Sequence, residues 1–151
     1  MGTFASIDEI LDFAASREEE SFAFYTDLAN TVKSGRMRGV FSDFAHEELG
    51  HKAKILAMKR DRKFTPAAGR VLDLHIADSV ADVKPGPEME YPDILRFVMR
   101  REKEAFRLYS DLAEAAGDDT VRDIFLTLAR EEAKHKLRFE IEYDDYVLSE
   151  N

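Results

Sequence analysis

Apolar residues recur every three or four positions through most of the chain, which is the spacing of one face of an α-helix. The four prolines fall between residues 66 and 92 and nowhere else. Because proline is excluded from helix interiors, this distribution predicts two helical halves joined by one long connection. Each half has one further break, at residues 33–35 and 117–119, where glycine meets polar residues. The pattern therefore predicts four helices, near residues 7–32, 36–63, 93–116 and 119–147.

Several residues are typical of helix starts. Ser6 followed by Glu9 matches a capping box, in which the two side chains bond the first backbone N–H groups. Pro92 suits the first turn of the third helix, since its missing N–H would have no helical partner there. Asp118 or Asp119 can cap the fourth helix. These signals agree with the helix starts that the apolar spacing predicts.

The two helical halves repeat each other. Residues 17–52 align without a gap with residues 101–136. The identical pairs include Arg17 and Arg101, Glu18 and Glu102, Tyr25 and Tyr109, Glu48 and Glu132, and His51 and His135. Two unrelated amphipathic helices can share leucines by chance, but chance does not explain matched glutamate, tyrosine and histidine. The chain is therefore predicted to be a duplicated helix pair.

Glutamate interrupts the apolar stripe near the middle of every predicted helix. In the second and fourth helices, a histidine follows this glutamate three residues later, so that the two side chains lie next to each other on one helical face. The six residues are Glu18, Glu48, His51, Glu102, Glu132 and His135. Carboxylates in a core stripe cost several kcal/mol unless a cation compensates them.

A pair of divalent cations is the compensation that this pattern predicts. No lysine or arginine occupies the middle of the stripes, so salt bridges within the stripes do not provide it. Dinuclear carboxylate bundles use one Glu from each of two helices and Glu-x-x-His from each of the other two. The alternative is that the stripes are wrongly phased and the glutamates are solvated. Agreement between both halves of the repeat favours the dinuclear metal site.

The remaining polar candidates are less specific. Tyr25 and Tyr109 each follow a candidate ligand by seven residues, so they either fill the core or hydrogen-bond a metal-binding carboxylate. His46 is predicted on the surface, and His75 lies in the connection between the halves. Glu142 falls on the stripe near the end of the fourth helix, where fraying or a partner subunit would accommodate it.

Composition and charge exclude several classes of protein. The chain has 151 residues, a formal net charge of −9 and no cysteine. Without cysteine there is no disulfide, no thiol nucleophile and no cysteine-ligated iron in this chain. The acid excess argues against a nucleic-acid partner, and no apolar run approaches the roughly 20 residues that span a bilayer. Residues 1–6 lack the basic and apolar regions of a signal peptide, so we expect one cytoplasmic domain over residues 1–151.

The six residues and their spacing resemble the rubrerythrin-like di-iron proteins of the ferritin-like superfamily. The resemblance covers nearly the whole chain. It implies an all-α fold, an antiparallel four-helix bundle in which the helix pairs 7–63 and 93–147 are joined by a long crossover over residues 65–92. It also implies two iron ions as cofactor and a homodimer; manganese or zinc suits the same ligands.

The resemblance also implies a role for each ligand. Glu48 and Glu132 would bridge the two metal ions. The terminal ligands would be Glu18 with His51 and Glu102 with His135.

The function that follows is reduction of hydrogen peroxide or O₂, as in protection from oxidative stress. Since the chain has no cysteine, electrons would come from a separate donor such as a rubredoxin or a reductase. One position differs from the family pattern, because Ala105 stands where such proteins usually carry a further glutamate one turn after the third-helix ligand. Two alternatives remain open: a ferroxidase or iron-handling protein of the ferritin type, and a non-catalytic metal-binding bundle.

Overall fold

The computed structural model describes residues 7–61, 90–117 and 119–150, and four long helices account for most of them. They are α1 (Ile7–Thr31), α2 (Gly35–Asp61), α3 (Tyr91–Ala115) and α4 (Asp119–Glu150). Each helix begins or ends within three residues of its predicted bound. The predicted crossover up to residue 89, with His75, and the predicted caps Ser6 and Asp118 lie outside the described residues.

The helices form two compact units, α1 with α2 and α3 with α4. Within each unit the two helices run antiparallel, because a connection of three residues in each case joins consecutive helices that pack side by side. This observation agrees with the predicted duplicated helix pair. The prediction that both pairs form one domain over residues 1–151 stays a prediction.

Local chemistry explains where the helices begin and end. Ser34 caps α2, since its hydroxyl oxygen accepts a hydrogen bond from the Met37 backbone N–H at 3.2 Å. Pro92 lies in the first turn of α3, after the extended residue Glu90, as the sequence predicts. At the other end of α3, the extended residue Ala116 donates its N–H to the carbonyl of Ala113 at 3.2 Å.

The predicted apolar stripes are buried in both units. In α2 the buried residues follow one another at intervals of three or four positions, as predicted, and they are Met37, Phe41, Ala45, Glu48, His51, Ile55 and Met58. The repeat also holds in three dimensions. Tyr25 stacks on Phe41 with ring centroids 6.1 Å apart, and Tyr109 stacks on Phe125 with centroids 6.2 Å apart. The two units thus reproduce one packing arrangement around their tyrosines.

The outer surfaces of the two units differ. Lys52 Nζ donates to Glu19 Oε1 at 2.7 Å, and Lys59 Nζ donates to Asp12 Oδ1 at 2.6 Å, so two ion pairs join α1 and α2. In α3 the position matching Asp12 is Arg96, which donates to the Tyr143 hydroxyl and lies 5.3 Å from the centre of its ring. Among the described residues, no helix has the length and hydropathy to cross a membrane.

Candidate metal centre

Three of the predicted ligands come together inside the α1–α2 unit. Glu18, Glu48 and His51 are each no more than 3% exposed. The Nδ1 atom of His51 lies 3.1 Å from Glu48 Oε1 and 3.4 Å from Glu18 Oε2. The contact within α2 follows from the spacing of three residues, whereas the contact with Glu18 depends on how α1 packs against α2. The result is a buried cluster of two carboxylates and one imidazole.

The electrostatics of this cluster favour a positive charge at its centre. Burial lowers the pKa of His51, but the hydrogen bonds and negative charges of Glu18 and Glu48 outweigh burial and raise that pKa to about 11. A protonated imidazole therefore offsets part of the carboxylate charge. A metal ion takes the neutral imidazole as ligand, so its binding replaces that proton with a larger positive charge.

The α3–α4 unit holds the corresponding cluster of Glu102, Glu132 and His135. All three are likewise no more than 3% exposed. His135 Nδ1 lies 3.7 Å from Glu102 Oε2. In both clusters, the three ligand atoms lie within 4.8 Å of one another. The duplicated sequence thus produces two clusters of the same composition in equivalent places.

The donor atoms of each cluster suit a divalent transition metal. A set of carboxylate oxygens and imidazole nitrogen matches Fe, Mn or Zn better than Ca or Mg, which prefer oxygen alone. Bonds from such ions to these atoms are about 2 Å long, so the atoms around one ion lie at most about 4 Å apart. The ligand atoms of each cluster lie within 4.8 Å of one another, which is close to this spacing. Each cluster therefore fits the metal that its sequence pattern predicts.

Tyr25 and Tyr109 are buried next to aromatic side chains of the neighbouring helix. Each is 1% exposed, and the Tyr25 ring also makes an edge contact with Phe44 at 5.9 Å. The core role predicted for the rings is thus observed. A hydrogen bond from the phenols to ligand carboxylates stays a prediction.

Glu142 shows a polar contact that the sequence did not predict. It is 5% exposed, and Tyr91 donates its hydroxyl hydrogen to Glu142 Oε2 at 3.1 Å. Arg138 Nη1 lies 3.6 Å from the other carboxylate oxygen, and Tyr146 lies with its ring edge towards Tyr91 at 5.2 Å. The expected fraying or partner subunit is therefore not required, since α3 and α4 themselves supply the partners. In the sequence, Arg138 is the residue that could have indicated a partner for Glu142, because it stands one helical turn before it.

His46, the histidine predicted on the surface, lies there, and three glutamates close to the ligands in sequence also lie on the surface. His46 is exposed, with its Nδ1 2.9 Å from the Ser42 carbonyl oxygen. Glu47 and Glu20 are exposed, and Glu19 forms the ion pair with Lys52 described above. None of these residues belongs to the two clusters.

An all-α fold carrying paired clusters of glutamate and histidine is typical of ferritin-like metalloproteins. The chain belongs to the Rubrerythrin family, whose model matches residues 9–143. The structure is similar to a hypothetical protein from Pyrococcus furiosus, with a TM-score of 0.72 and 22% sequence identity, over 93% of this chain and 89% of that chain. This likeness confirms the predicted all-α four-helix bundle class, and the family match confirms the resemblance. Among curated proteins, none matches the chain.

Proposed function

We propose that this protein is a di-iron carboxylate oxidoreductase that reduces hydrogen peroxide or O₂. The observation that carries the proposal is the buried cluster of two glutamates and one histidine, which occurs once in each helix pair with the same spacing. Membership of the Rubrerythrin family supports it. The proposed ligands of the two iron ions are Glu18, Glu48, His51, Glu102, Glu132 and His135.

The proposed roles of the side chains follow from the family resemblance and from burial. Glu48 and Glu132 would hold both ions, while the other four residues would each be a ligand of one ion. Tyr25 and Tyr109 hold ligand carboxylates in place through their hydroxyl groups. Because the ligands are almost completely buried, the protein excludes bulk water and fixes the ligand geometry. The bound ions would supply redox chemistry that no side chain of this chain supplies.

The reaction needs electrons and protons from outside the cluster. Reduction of one hydrogen peroxide molecule to two water molecules consumes two electrons and two protons. Since the chain has no cysteine to hold its own iron–sulfur or rubredoxin-type centre, a separate rubredoxin or reductase delivers these electrons in our proposal. We further propose a cytoplasmic homodimer, on the resemblance alone.

Metal analysis followed by rapid mixing tests the proposal. The purified protein is expected to bind two iron ions per chain, and the ferrous form is expected to oxidise rapidly when mixed with hydrogen peroxide, with O₂ in a parallel experiment. Oxidation is followed by absorbance in a stopped-flow instrument. Inertness to both oxidants would refute the oxidoreductase proposal, and a redox-silent protein that folds equally well with zinc would establish the non-catalytic bundle.

A ferroxidase is the second candidate, and Ala105 is the observation that favours it. Ala105 lies one turn after Glu102 on α3 and offers no carboxylate where peroxide-reducing relatives usually have one. A ferroxidase would turn over with excess Fe(II), deposit iron mineral and form large assemblies. Size-exclusion chromatography distinguishes such assemblies from the dimer expected of the peroxide-reducing enzyme.

A further inference from the structure

We infer that an exposed basic face of α3 is the docking surface for an acidic electron-donor protein. We call this face the basic stripe, and it consists of Arg96, Arg100, Lys103 and Arg107. The inference rests on the proposed function, because it concerns how electrons reach the metal cluster. It assigns that role to particular residues outside the cluster.

The basic stripe is a continuous surface along one side of α3. Its members are spaced by four, three and four residues, which keeps them on one helical face over about 16 Å. All four side chains are exposed. Arg96 contacts Asp93 and Tyr143. The other three make no ion pair with any residue in the described part of the chain.

Helix stability does not explain the basic stripe. Like charges three or four residues apart repel each other and destabilise a helix. Glu104 and Asp111 stand four residues after Arg100 and Arg107, where they could offset this repulsion, but neither arginine forms an ion pair with a residue in the described part of the chain. Repulsion between these basic residues lowers the stability of the helix, so we infer that they serve binding of another molecule and not the fold.

The duplicated half provides an internal comparison. The α1 residues that align with the basic stripe are Asp12, Ser16, Glu19 and Ala23. Asp12 and Glu19 accept hydrogen bonds from lysines of α2, so in α1 the same face contributes to packing with the neighbouring helix. The two helices bury matching residues, since Leu11, Glu18 and Tyr25 correspond to the buried Leu95, Glu102 and Tyr109, but their charges on this face are opposite. Only α3 therefore presents the basic stripe.

The position of the stripe relative to Glu102 favours a redox partner. Glu102 is 2% exposed, and the next residue along α3 is Lys103 in the middle of the stripe. A partner seated on the stripe would thus be separated from the proposed iron ligand by about the width of one helix, roughly 10 Å. Phe106 is 41% exposed on the same helix and offers the aromatic contact that protein interfaces favour.

The limited length of the stripe favours a compact acidic protein over a long polyanion. Asp93 precedes the stripe by one turn, and Asp111 and Glu114 follow it. Nucleic acid or an anionic membrane extending beyond these ends would meet acidic residues and the negative charge of the whole chain. A small protein with an acidic patch of similar length meets the four basic side chains without reaching the acidic residues at the ends of the stripe.

Charge reversal tests the inference, with an acidic rubredoxin as the probe. The variant R100E/K103E/R107E is compared with K33E/K54E/R60E, which reverses three exposed basic residues of the α1–α2 unit and has the same net charge. Association with the reduced probe is measured at low and at physiological salt.

We expect the α3 variant to associate at least about tenfold more slowly than the unsubstituted protein and to lose most of its salt dependence. We expect the control K33E/K54E/R60E to keep an association rate and a salt dependence within about threefold of those of the unsubstituted protein. Helix content by circular dichroism and iron content verify that both variants fold and bind metal, and R100Q/K103Q/R107Q should give an intermediate effect if reversal disturbs folding.

Each outcome bears on the inference separately from the proposed function. Equal effects of the two triple variants, or no binding of the probe by the native chain, would overturn the docking surface. Tighter binding of single-stranded DNA or of anionic phospholipid vesicles through the same three residues would also overturn it, in favour of those partners. Reduction of the iron by dithionite, followed by peroxide, tests the proposed function without the stripe, since a small reductant needs no docking surface.

Discussion

Among the residues that the structure describes, seven glutamate and histidine side chains are almost fully buried, and their surroundings compensate their charges in two ways. Glu142 is compensated by residues of the protein itself, with the Tyr91 hydroxyl on one oxygen and Arg138 near the other. In the two clusters, carboxylates instead face an imidazole, as Glu18 and Glu48 face His51. A single carboxylate between a hydroxyl group and a guanidinium is compensated by the protein itself, whereas two carboxylates gathered around one imidazole are typical of a metal site.

Removal of the Tyr91 hydroxyl should destabilise the fold, because it takes the hydrogen bond from a buried carboxylate. Hydrogen bonds to charged groups contribute about 1.5–3 kcal/mol, so we expect Tyr91→Phe to lower the free energy of unfolding by about that amount. Urea denaturation with matched metal content measures the change. Tyr143→Phe is the control: it removes a hydroxyl that contacts the exposed Arg96, and it should cost less. Equal losses in the two variants would contradict the structural role of Glu142.

At the scale of helices, α2 contains a glycine that its packing does not require. Gly39 is exposed inside the helix, and a methyl group placed on it would meet no atom of the described residues within 4 Å. Glycine in a helix interior costs about 0.5–1 kcal/mol relative to alanine. We therefore expect Gly39→Ala to raise the free energy of unfolding by that amount, as measured by urea denaturation. A loss of stability would instead indicate that another surface packs closely against α2 at this position.

The helices and their buried faces could be predicted because both depend on residues close together in sequence. Periodic apolar positions fix the stripe of each helix, and the spacing of three residues fixes the pairing of Glu48 with His51. The contact between Tyr91 and Glu142 could not be predicted in this way. It joins α3 to α4, and Tyr91 precedes the residues predicted to be helical. Helix starts are set by caps and context, which apolar spacing does not specify.

At the scale of the whole molecule, the two halves share the metal-site cluster and the stacked aromatic pair but differ on their surfaces. The stacked pair of Tyr25 and Phe41 recurs as Tyr109 and Phe125 with almost the same distance and angle. On the outside, an acidic face of α1 that binds α2 lysines corresponds to the basic stripe of α3. Identical ligands in both halves suit the proposed dinuclear metal centre, in which each half supplies the same set of side chains. A basic face on α3 alone suits one electron-donor protein that binds on one side.

The proposed dinuclear centre makes the two halves depend on each other for metal binding. If Glu48 and Glu132 each bridge both ions, substitution of either one removes a ligand from both. We therefore expect Glu48→Ala and Glu132→Ala each to reduce bound iron from two ions per chain to less than one. Iron is measured after equilibration with a limited excess of Fe(II), by metal analysis of the desalted protein.

Glu47→Ala is the matched control for this experiment, because Glu47 is the exposed neighbour of Glu48 and should leave two ions bound. Two independent clusters would give another result: each substitution would remove the ion of its own helix pair and leave the other in place, so that both variants would retain one. Retention of two ions by Glu132→Ala would refute its assignment as a ligand. The stoichiometry of the two variants thus decides between a shared dinuclear centre and two separate mononuclear sites, since only a bridging carboxylate links the occupancy of one half to a residue of the other.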